Sequence, residues 1–371
     1  MDSPIIYIML FIIALGGIAV GIASVSGATL PSFSMPSLDG GLFASAYAAV
    51  ETTFGSKVNQ GSFLISFDNF SNIFSTTLDN KTSVSVFDVD GFFPVDGTAQ
   101  RIYMSTDRGL FLSNDGGLTF NRFTTSNNEI AADSIVYKVL PASSNGEDYF
   151  IAVYTNGKGT LYRTYDYFFH LEKLIDFDKE SVYDMSFTGN SLYFSLSTGQ
   201  LIHYTLSNNE MRVVTTFSSP IVRIMKAPSG VFYLLSKSGT VYYASTLEGN
   251  QGKFKTLKGP SSGFLSFFFP FLSSSVKSLD FDGAGALYAL NAKGIWRTQD
   301  NGSHWKLLST LPVPKKKISA MGVHNGIVYA ASENRAYVSK DFGTNWKVYD
   351  LSNPSLISNF FFVNQRIIMG M

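Results

Sequence analysis

Cysteine is absent from this chain of 371 residues, and other residues that often carry chemistry are scarce. Without cysteine there is no disulfide, no thiol nucleophile and no thiolate metal ligand. Only four histidines are present, and none has the spacing to another ligand that is typical of a zinc site. The 28 Lys and Arg residues balance 28 Asp and Glu residues, so no overall positive field attracts nucleic acid. We therefore predict no cofactor, no metal and no nucleic-acid partner.

Charge is also missing from the N-terminal segment. No Asp, Glu, Lys, Arg or His lies between Asp2 and Asp39, and residues 4–25 form an uninterrupted, mainly apolar run. As a helix this run would span about 33 Å, enough for a bilayer core. A cleaved signal peptide is the alternative, although the run is long for one and no Lys or Arg precedes it. We predict a transmembrane anchor over residues 1–25 and a linker rich in Ser, Gly, Ala and Pro over residues 26–60.

The remaining segment, residues 61–371, is predicted to be one folded domain. Lys and Arg are too rare near the apolar run for the positive-inside rule to fix an orientation. Because only three residues precede the run, we expect the large domain to be the translocated part. The prediction is a single-pass protein of the cell membrane with its domain on the extracytoplasmic side.

Three short segments repeat the pattern Ser/Thr-x-Asp-x-Gly-x-x-Trp/Phe, and each follows a strand-like run. They are SNDGGLTF (113–120), TQDNGSHW (298–305) and SKDFGTNW (339–346). In such a turn the Asp accepts backbone hydrogen bonds, the Gly supplies a positive φ, and the aromatic residue begins the next strand. The predicted structural residues are Asp115, Gly117, Phe120, Asp300, Gly302, Trp305, Asp341, Gly343 and Trp346, and weaker copies keep Asp68 and Asp166. This chemistry favours a structural role over a catalytic or calcium-binding one.

The spacing of these Asp residues predicts the architecture. Neighbouring Asp positions lie 47, 51 and 41 residues apart, and the remaining gap of 134 residues is about three such periods. Seven pairs of strand-like runs fill the intervals, and the last pair has no strands after it. The segment from Gly61 supplies the two strands that the last pair lacks. We predict an all-β fold: a seven-bladed β-propeller closed by N-terminal and C-terminal strands in one blade, preceded by the transmembrane helix.

The repeated pattern resembles the Asp-box, or BNR-type repeat, of sialidases, sortilin-like receptors and photosystem II assembly-factor-like proteins. The resemblance covers about residues 61–371 and implies a β-propeller. The predicted membrane-tethered, single-propeller layout is most similar to the assembly-factor-like proteins, and this implies a binding or assembly scaffold. Sialidases use a cluster of arginines on the substrate carboxylate, whereas the few arginines here are scattered.

One predicted loop is unusually apolar, and the next loop on the same face of the ring is basic. An apolar loop indicates contact with a partner or lipid, and lysines beside it suit an anionic membrane surface. Alternatively, the loop folds back to cap the propeller and the lysines are solvated. The candidate interaction residues are Phe264, Leu265, Phe267, Phe268, Phe269, Phe271, Leu272, Lys315, Lys316 and Lys317.

Charged residues on the predicted inner strands form a candidate channel site of Asp184, Arg223, Asp280 and His324. Asp184 and Arg223 occupy the same position of adjacent inner strands, which predicts an ion pair across the channel. Such a pair is either structural or part of a ligand site. Three functions follow as hypotheses: a non-enzymatic protein-binding or assembly scaffold at a membrane, a glycan-binding or glycoside-hydrolase-like propeller, and a structural subunit of a cell-surface assembly. Protein partners are expected and a glycan ligand is possible in the second case.

Overall fold

The structure, a computed structural model, describes most of the predicted domain. The described ranges are 56–58, 62–66, 73–77, 84–92, 101–125, 129–143, 147–166, 168–248, 254–257, 275–308, 310–313, 317–332, 335–351, 357, 359–363 and 366–370. Asp68, the predicted anchor and most of the candidate loop residues, from Phe264 to Leu272 together with Lys315 and Lys316, lie outside these ranges. Within the ranges that are described, no helix has the length and apolar character to cross a membrane.

The described elements are antiparallel strands, and the first three join sheets that are completed later in the chain. These are β1 (Ser56–Val58), β2 (Ser62–Ser66) and β3 (Ile73–Thr77). Three sheets of four consecutive strands follow. Sheet 1 contains β4 (Val84–Phe92), β5 (Arg101–Thr106), β6 (Gly109–Ser113) and β7 (Asn121–Phe123). Sheet 2 contains β8 (Ile135–Pro141), β9 (Tyr149–Thr155), β10 (Lys158–Thr164) and β11 (Glu172–Asp178). Sheet 3 contains β12 (Val182–Thr188), β13 (Ser191–Leu196), β14 (Gln200–Thr205) and β15 (Glu210–Thr216).

Three further sheets repeat this arrangement. Sheet 4 contains β16 (Ile221–Lys226), β17 (Phe232–Ser236), β18 (Val241–Ala244) and β19 (Lys255–Thr256). Sheet 5 contains β20 (Ser278–Phe281), β21 (Leu287–Asn291), β22 (Gly294–Thr298) and β23 (Lys306–Leu307). Sheet 6 contains β24 (Ala320–His324), β25 (Ile327–Ser332), β26 (Arg335–Ser339) and β27 (Lys347–Asp350). Central strands such as β17 are buried along their whole length because neighbouring sheets cover both of their faces.

The remaining sheet joins two distant parts of the chain. It contains β28 (Asn359–Val363) and β29 (Arg366–Gly370), followed by β2 and β3, in the order β28-β29-β2-β3. Ile65 pairs with Ile368, and Ser66 pairs with Ile367, in an antiparallel register. We call this the closing sheet. Its strand order is the one predicted for the blade that is formed by N-terminal and C-terminal strands.

Strand β1 extends sheet 1 within a segment that the sequence predicts as linker. Ser56 pairs with Val86 and Val58 with Val84, so β1 is a fifth strand on the side of β4 that faces away from β5. The run Ser-Lys-Val has only three residues, so the sequence pattern of the predicted linker does not indicate a strand there. Its pairing uses backbone groups of β4 that would otherwise form an open sheet edge.

The described core clusters each span two neighbouring sheets. Ile368 of the closing sheet packs with Val84 and Val86 of sheet 1, and Phe360 of the closing sheet packs with Tyr329 of sheet 6. The closing sheet therefore contacts both of its neighbours. Sheets packed face to face around a ring, with the first strand of each sheet innermost, form an all-β propeller, as the sequence predicts.

Candidate functional site

The first strands of sheets 1 to 4 share an irregularity at the same position. The pairing register shifts by one residue at Phe87 in β4, Tyr137 in β8, Tyr183 in β12 and Val222 in β16. Each shift is a β-bulge, which bends the strand locally and redirects its side chains. The residue after each bulge is charged, and we call Asp88, Lys138, Asp184 and Arg223 the inner charged row.

The bulged residues themselves form a second row beside the charges. The ring of Tyr137 lies 5.1 Å from that of Phe87 and 5.2 Å from that of Tyr183, measured between centroids. Tyr137 is buried, whereas Phe87, Tyr183 and Val222 are half-buried. An apolar and mainly aromatic strip therefore follows the inner charged row across four neighbouring strands.

Lys138 lies between two carboxylates from the flanking sheets. Its Nζ is 2.9 Å from Asp88 Oδ2 and 3.7 Å from Asp184 Oδ1. Burial opposes a positive charge on Lys138, but Asp88 and Asp184 outweigh this effect, so the Lys138 pKa lies above its ordinary value. The lysine thus bridges three sheets as a cation.

The predicted ion pair between Asp184 and Arg223 is replaced by this arrangement. Asp184 contacts Lys138, and its Oδ2 accepts the backbone N–H of Ile224 in β16. Burial raises the Asp184 pKa, an effect that Lys138 and the Ile224 N–H partly offset. Arg223 lies on the strand next to Asp184, as its aligned position predicts, but its side chain is exposed. Its positive charge lowers the pKa of Asp280 in β20 instead. Sequence position fixes which strands are adjacent but not which neighbour a long side chain reaches.

Asp280 repeats the Asp184 contact further along the ring. Its Oδ2 accepts the backbone N–H of Val323 in β24 at 2.9 Å, and its Oδ1 accepts the N–H of Phe281 at 3.0 Å. Burial raises the Asp280 pKa, and Arg223 and the Val323 N–H act against this shift. His324 stacks on Phe362 of the closing sheet with ring centroids 5.1 Å apart. The four predicted channel residues therefore lie on four successive inner strands. Arg223 and His324 both lower the Asp280 pKa, whereas Asp184 contacts Lys138 instead.

Asp90 is a functional candidate that the sequence analysis missed. Burial and the nearby charge of Asp88 raise its pKa from 3.8 to about 6, and Lys138 only partly compensates. Three carboxylates thus share one lysine, so the site carries excess negative charge. The triplets Val-Phe-Asp, Val-Tyr-Lys, Val-Tyr-Asp and Ile-Val-Arg in the inner strands are the signal that could have identified both rows. Among the residues that the structure describes, no group of three acidic or histidine side chains has an arrangement that could hold a metal ion.

The repeated turns connect the third and fourth strands of their sheets. In the first of them Ser113 Oγ donates to Asp115 Oδ1 at 2.7 Å, and the Gly117 N–H donates to Ser113 Oγ at 2.7 Å. The same contacts recur around Asp300 and Asp341. Gly117, Gly302 and Gly343 all have positive φ, near 100°, 83° and 87°. The turn chemistry accounts for the repeated residue types.

The aromatic residue that ends each repeat packs between sheets. Phe120 is buried against the closing sheet, Trp305 packs partly against sheet 4, and Trp346 packs partly against sheet 5. Each turn is therefore held to the preceding sheet. Lys317, the described member of the basic loop, is exposed just before β24.

Comparison with known proteins identifies the fold. Neither a protein-family model nor a curated protein sequence matches this chain. A solved structure of YCF48 bound to D1 peptide is 16% identical with a TM-score of 0.58, and the match covers 77% of this chain and 93% of that one. YCF48 from Cyanidioschyzon merolae is 13% identical with a TM-score of 0.57, and the match covers 77% and 95%.

A bacterial structure gives a similar result. The extracellular domain of BT4673 from B. thetaiotaomicron is 15% identical with a TM-score of 0.55 over 84% of this chain, and the match spans 40% of that protein. At such low sequence identity these structural similarities show the fold alone. With the strand order described above, they establish that the chain is an all-β propeller.

Proposed function

We propose that this protein is a non-enzymatic protein-binding or assembly scaffold built on a seven-bladed, Asp-box-type propeller. In this proposal residues 1–25 hold it in a cell membrane with the propeller on the extracytoplasmic side. The observation that carries the proposal is the inner charged row with its parallel aromatic strip. The rows lie on four neighbouring strands, each bent by a bulge at the same level.

The chemistry of the rows fits recognition better than catalysis. Lys138 already has two carboxylate partners and Asp184 also accepts a backbone N–H, so their charges are held in place. Arg223 remains exposed at one end of the row, and Asp90 carries negative charge that Lys138 does not fully neutralise. Alternating charges beside an aromatic strip suit an extended segment of a protein partner. One similar propeller, YCF48, was solved with a bound peptide, which supports this choice of ligand.

Quantitative co-purification of the full-length protein from its native membranes tests the proposal. Arg223→Gln removes the exposed charge of the row, and Lys226→Gln removes an exposed charge from the same strand outside the row. We expect Arg223→Gln to reduce the amount of a specific co-purifying protein about tenfold, as loss of one charged hydrogen bond would. Lys226→Gln should leave it unchanged. Equal recovery with both variants, or turnover of a glycan by the purified protein, would overturn the scaffold proposal.

The proposed location has its own test. Extraction of native membranes with alkaline carbonate should leave the full-length protein in the pellet if residues 1–25 span the bilayer. Protease added outside intact cells stripped of any outer envelope should then digest the propeller. Release by carbonate, or protection of the propeller in intact cells, would contradict the location and leave the binding test unaffected.

A further inference from the structure

The turn between β10 and β11 exposes two aromatic side chains on the face of the ring that carries the repeated turns. Tyr165 is 52% exposed and Phe169 is 79% exposed, the largest fraction among the described exposed hydrophobic residues. We call this pair the aromatic turn. Large aromatic side chains exposed in one turn are typical of an interaction surface rather than of ordinary solvated loops.

The other repeated turns show that the fold does not require these rings. The position of Tyr165 is taken by Asn114 in sheet 1, Gln299 in sheet 5 and Lys340 in sheet 6. The position of Phe169 is taken by Leu118, Ser303 and Thr344 in the same three turns. Polar residues therefore satisfy the same backbone geometry, and sheet 2 alone among these turns places an aromatic residue at both positions. Its neighbour, sheet 1, adds Leu118, which is also exposed.

The Tyr165 ring packs against the side chain of Arg163. The Arg163 guanidinium lies 4.3 Å from the centre of the Tyr165 ring and 5.1 Å from that of the buried Phe150 ring. Asp148 fixes the guanidinium with two hydrogen bonds of 2.9 and 2.7 Å. The exposed ring thus rests on a cation that is itself locked, which lowers the entropy lost when a partner binds.

Phe169 is held by an unusual residue next to it. Phe168 occupies the position that glycine takes in the other three turns, and it has a φ of 73°. Its N–H donates to Thr164 Oγ1 at 3.1 Å, as the glycine N–H does elsewhere, and its ring is buried 4.8 Å from Tyr103 and 5.0 Å from Tyr149. A positive φ strains a residue with a large side chain, and the burial of Phe168 offsets this cost. The turn is therefore anchored in the core while it presents Phe169 to solvent.

The charges around the aromatic turn select the type of partner. Asp166 lies in the turn and Glu172 follows it at the start of β11. The basic groups at this end of the sheet already have acidic partners, since Arg163 is paired with Asp148, Lys173 with Asp176, and the His170 ring contacts Asp166. The net charge is negative, which repels an anionic membrane surface and attracts basic groups. We propose that the aromatic turn inserts into an apolar pocket with a basic rim on a partner protein. This surface is separate from the inner charged row, so it is a second binding site.

Selection from a random peptide library on the full-length protein in detergent tests this site. Tyr165→Gln together with Phe169→Ser copies the turn of sheet 5, so this double variant should fold with an unchanged melting temperature. Peptides selected on the wild type should combine apolar residues with Lys or Arg and bind the double variant at least tenfold more weakly. Phe342→Ser, which removes an exposed aromatic residue from the turn of sheet 6, and Arg223→Gln should leave their affinity unchanged. Selected peptides without basic residues, or with equal affinity for the double variant, would overturn the proposal.

A lipid contact is distinguished by labelling a single site. Because the chain has no cysteine, Phe169→Cys and Ser303→Cys each create one position for a polarity-sensitive dye. In liposomes of phosphatidylcholine and phosphatidylglycerol, the full chain labelled at either position should show the same water-exposed emission. A blue shift at position 169 alone would place the aromatic turn in lipid and overturn the assignment to a protein partner.

Discussion

Replacing Lys138 by Met should destabilise the propeller through the charges that it leaves behind. Methionine fills a similar volume, so the main change is the loss of the cation between Asp88 and Asp184. Asp88 can turn toward water, since its side chain is 20% exposed, whereas the Asp184 side chain is only 8% exposed. The cost therefore depends mainly on Asp184, which keeps only backbone N–H partners, from Ile224 and Met185, among the described residues.

The expected loss follows from the partial burial of these groups. Removing one partner of a buried ion pair costs about 3–5 kcal/mol, and the exposure of Lys138 and Asp88 places this case near about 3 kcal/mol. An unfolding entropy of about 2.1 cal/mol/K per residue, over the roughly 320 residues of Val50–Met371, gives about 0.7 kcal/mol/K. The melting temperature should therefore fall by about 4–5 °C at pH 8.

The pH dependence separates a charge effect from a packing effect. Without Lys138 the folded-state pKa of Asp184 rises further above its unfolded value, so the carboxylate destabilises the fold fully only above that folded pKa. As pH falls through the folded pKa, the folded state takes up the proton and the penalty shrinks. The difference in melting temperature between wild type and Lys138→Met should thus be smaller at pH 5 than at pH 8.

Differential scanning calorimetry at both pH values measures these differences. Lys226→Met is the matched control, because it removes an exposed lysine from β16 and should change the melting temperature by less than about 1 °C. A fall of less than about 1 °C for Lys138→Met at pH 8, or a difference that does not change with pH, would refute the inferred role of Lys138.

Two further predictions test the turn and the acidic cluster. Gly343→Ala should reduce the free energy of unfolding in urea by about 2 kcal/mol, because its Cβ would lie 2.4 Å from Leu308 Cδ1 at a φ of 87°. Gly189→Ala, at a φ of 63° with no atom within 4 Å, should cost only about 1 kcal/mol, and equal losses would contradict the packing argument. Asp90→Asn should stabilise the fold by about 2 kcal/mol at pH 8, because a pKa raised to about 6 makes the ionised form costly in the folded state. This gain should disappear near pH 4, and a gain that persists there would refute the raised pKa.

The strands were predictable because they depend on local sequence, and their closure was predictable because the two terminal segments each lack the strands that the other supplies. Runs such as Phe-Tyr-Leu-Leu-Ser in β17 are continuous, apolar and bounded by turn residues, and the Asp and Gly of each repeat specify a turn. The incomplete pair at β28 and β29 and the segment from Gly61 complement each other in number and order. These features need no knowledge of which side chains meet in space.

The candidate site was predicted less well because it depends on contacts between sheets. The pattern placed Asp184 and Arg223 on neighbouring strands, but the flexible side chain of Lys138 reaches Asp184 from the opposite neighbour. The turn of sheet 2 lacks the glycine of the repeat, so the sequence identifies it only as a weaker copy. The sequence alone did not indicate that Phe168 would adopt a positive φ and fill the core, since a large residue normally avoids that conformation.

The pairing of β2 with β29 has a consequence for how the chain matures. About 300 positions separate Ser66 from its partner Ile367, so β2 and β3 must wait for nearly the whole domain to be made. At synthesis rates of about 5–20 residues per second this interval lasts roughly 15–60 s. During this interval β2 has no β29 to pair with, so the ring is not closed. The unpaired backbone groups of β2 are then available to a chaperone or to a misplaced strand. Completion of the propeller thus reports that the polypeptide has been made through to β29.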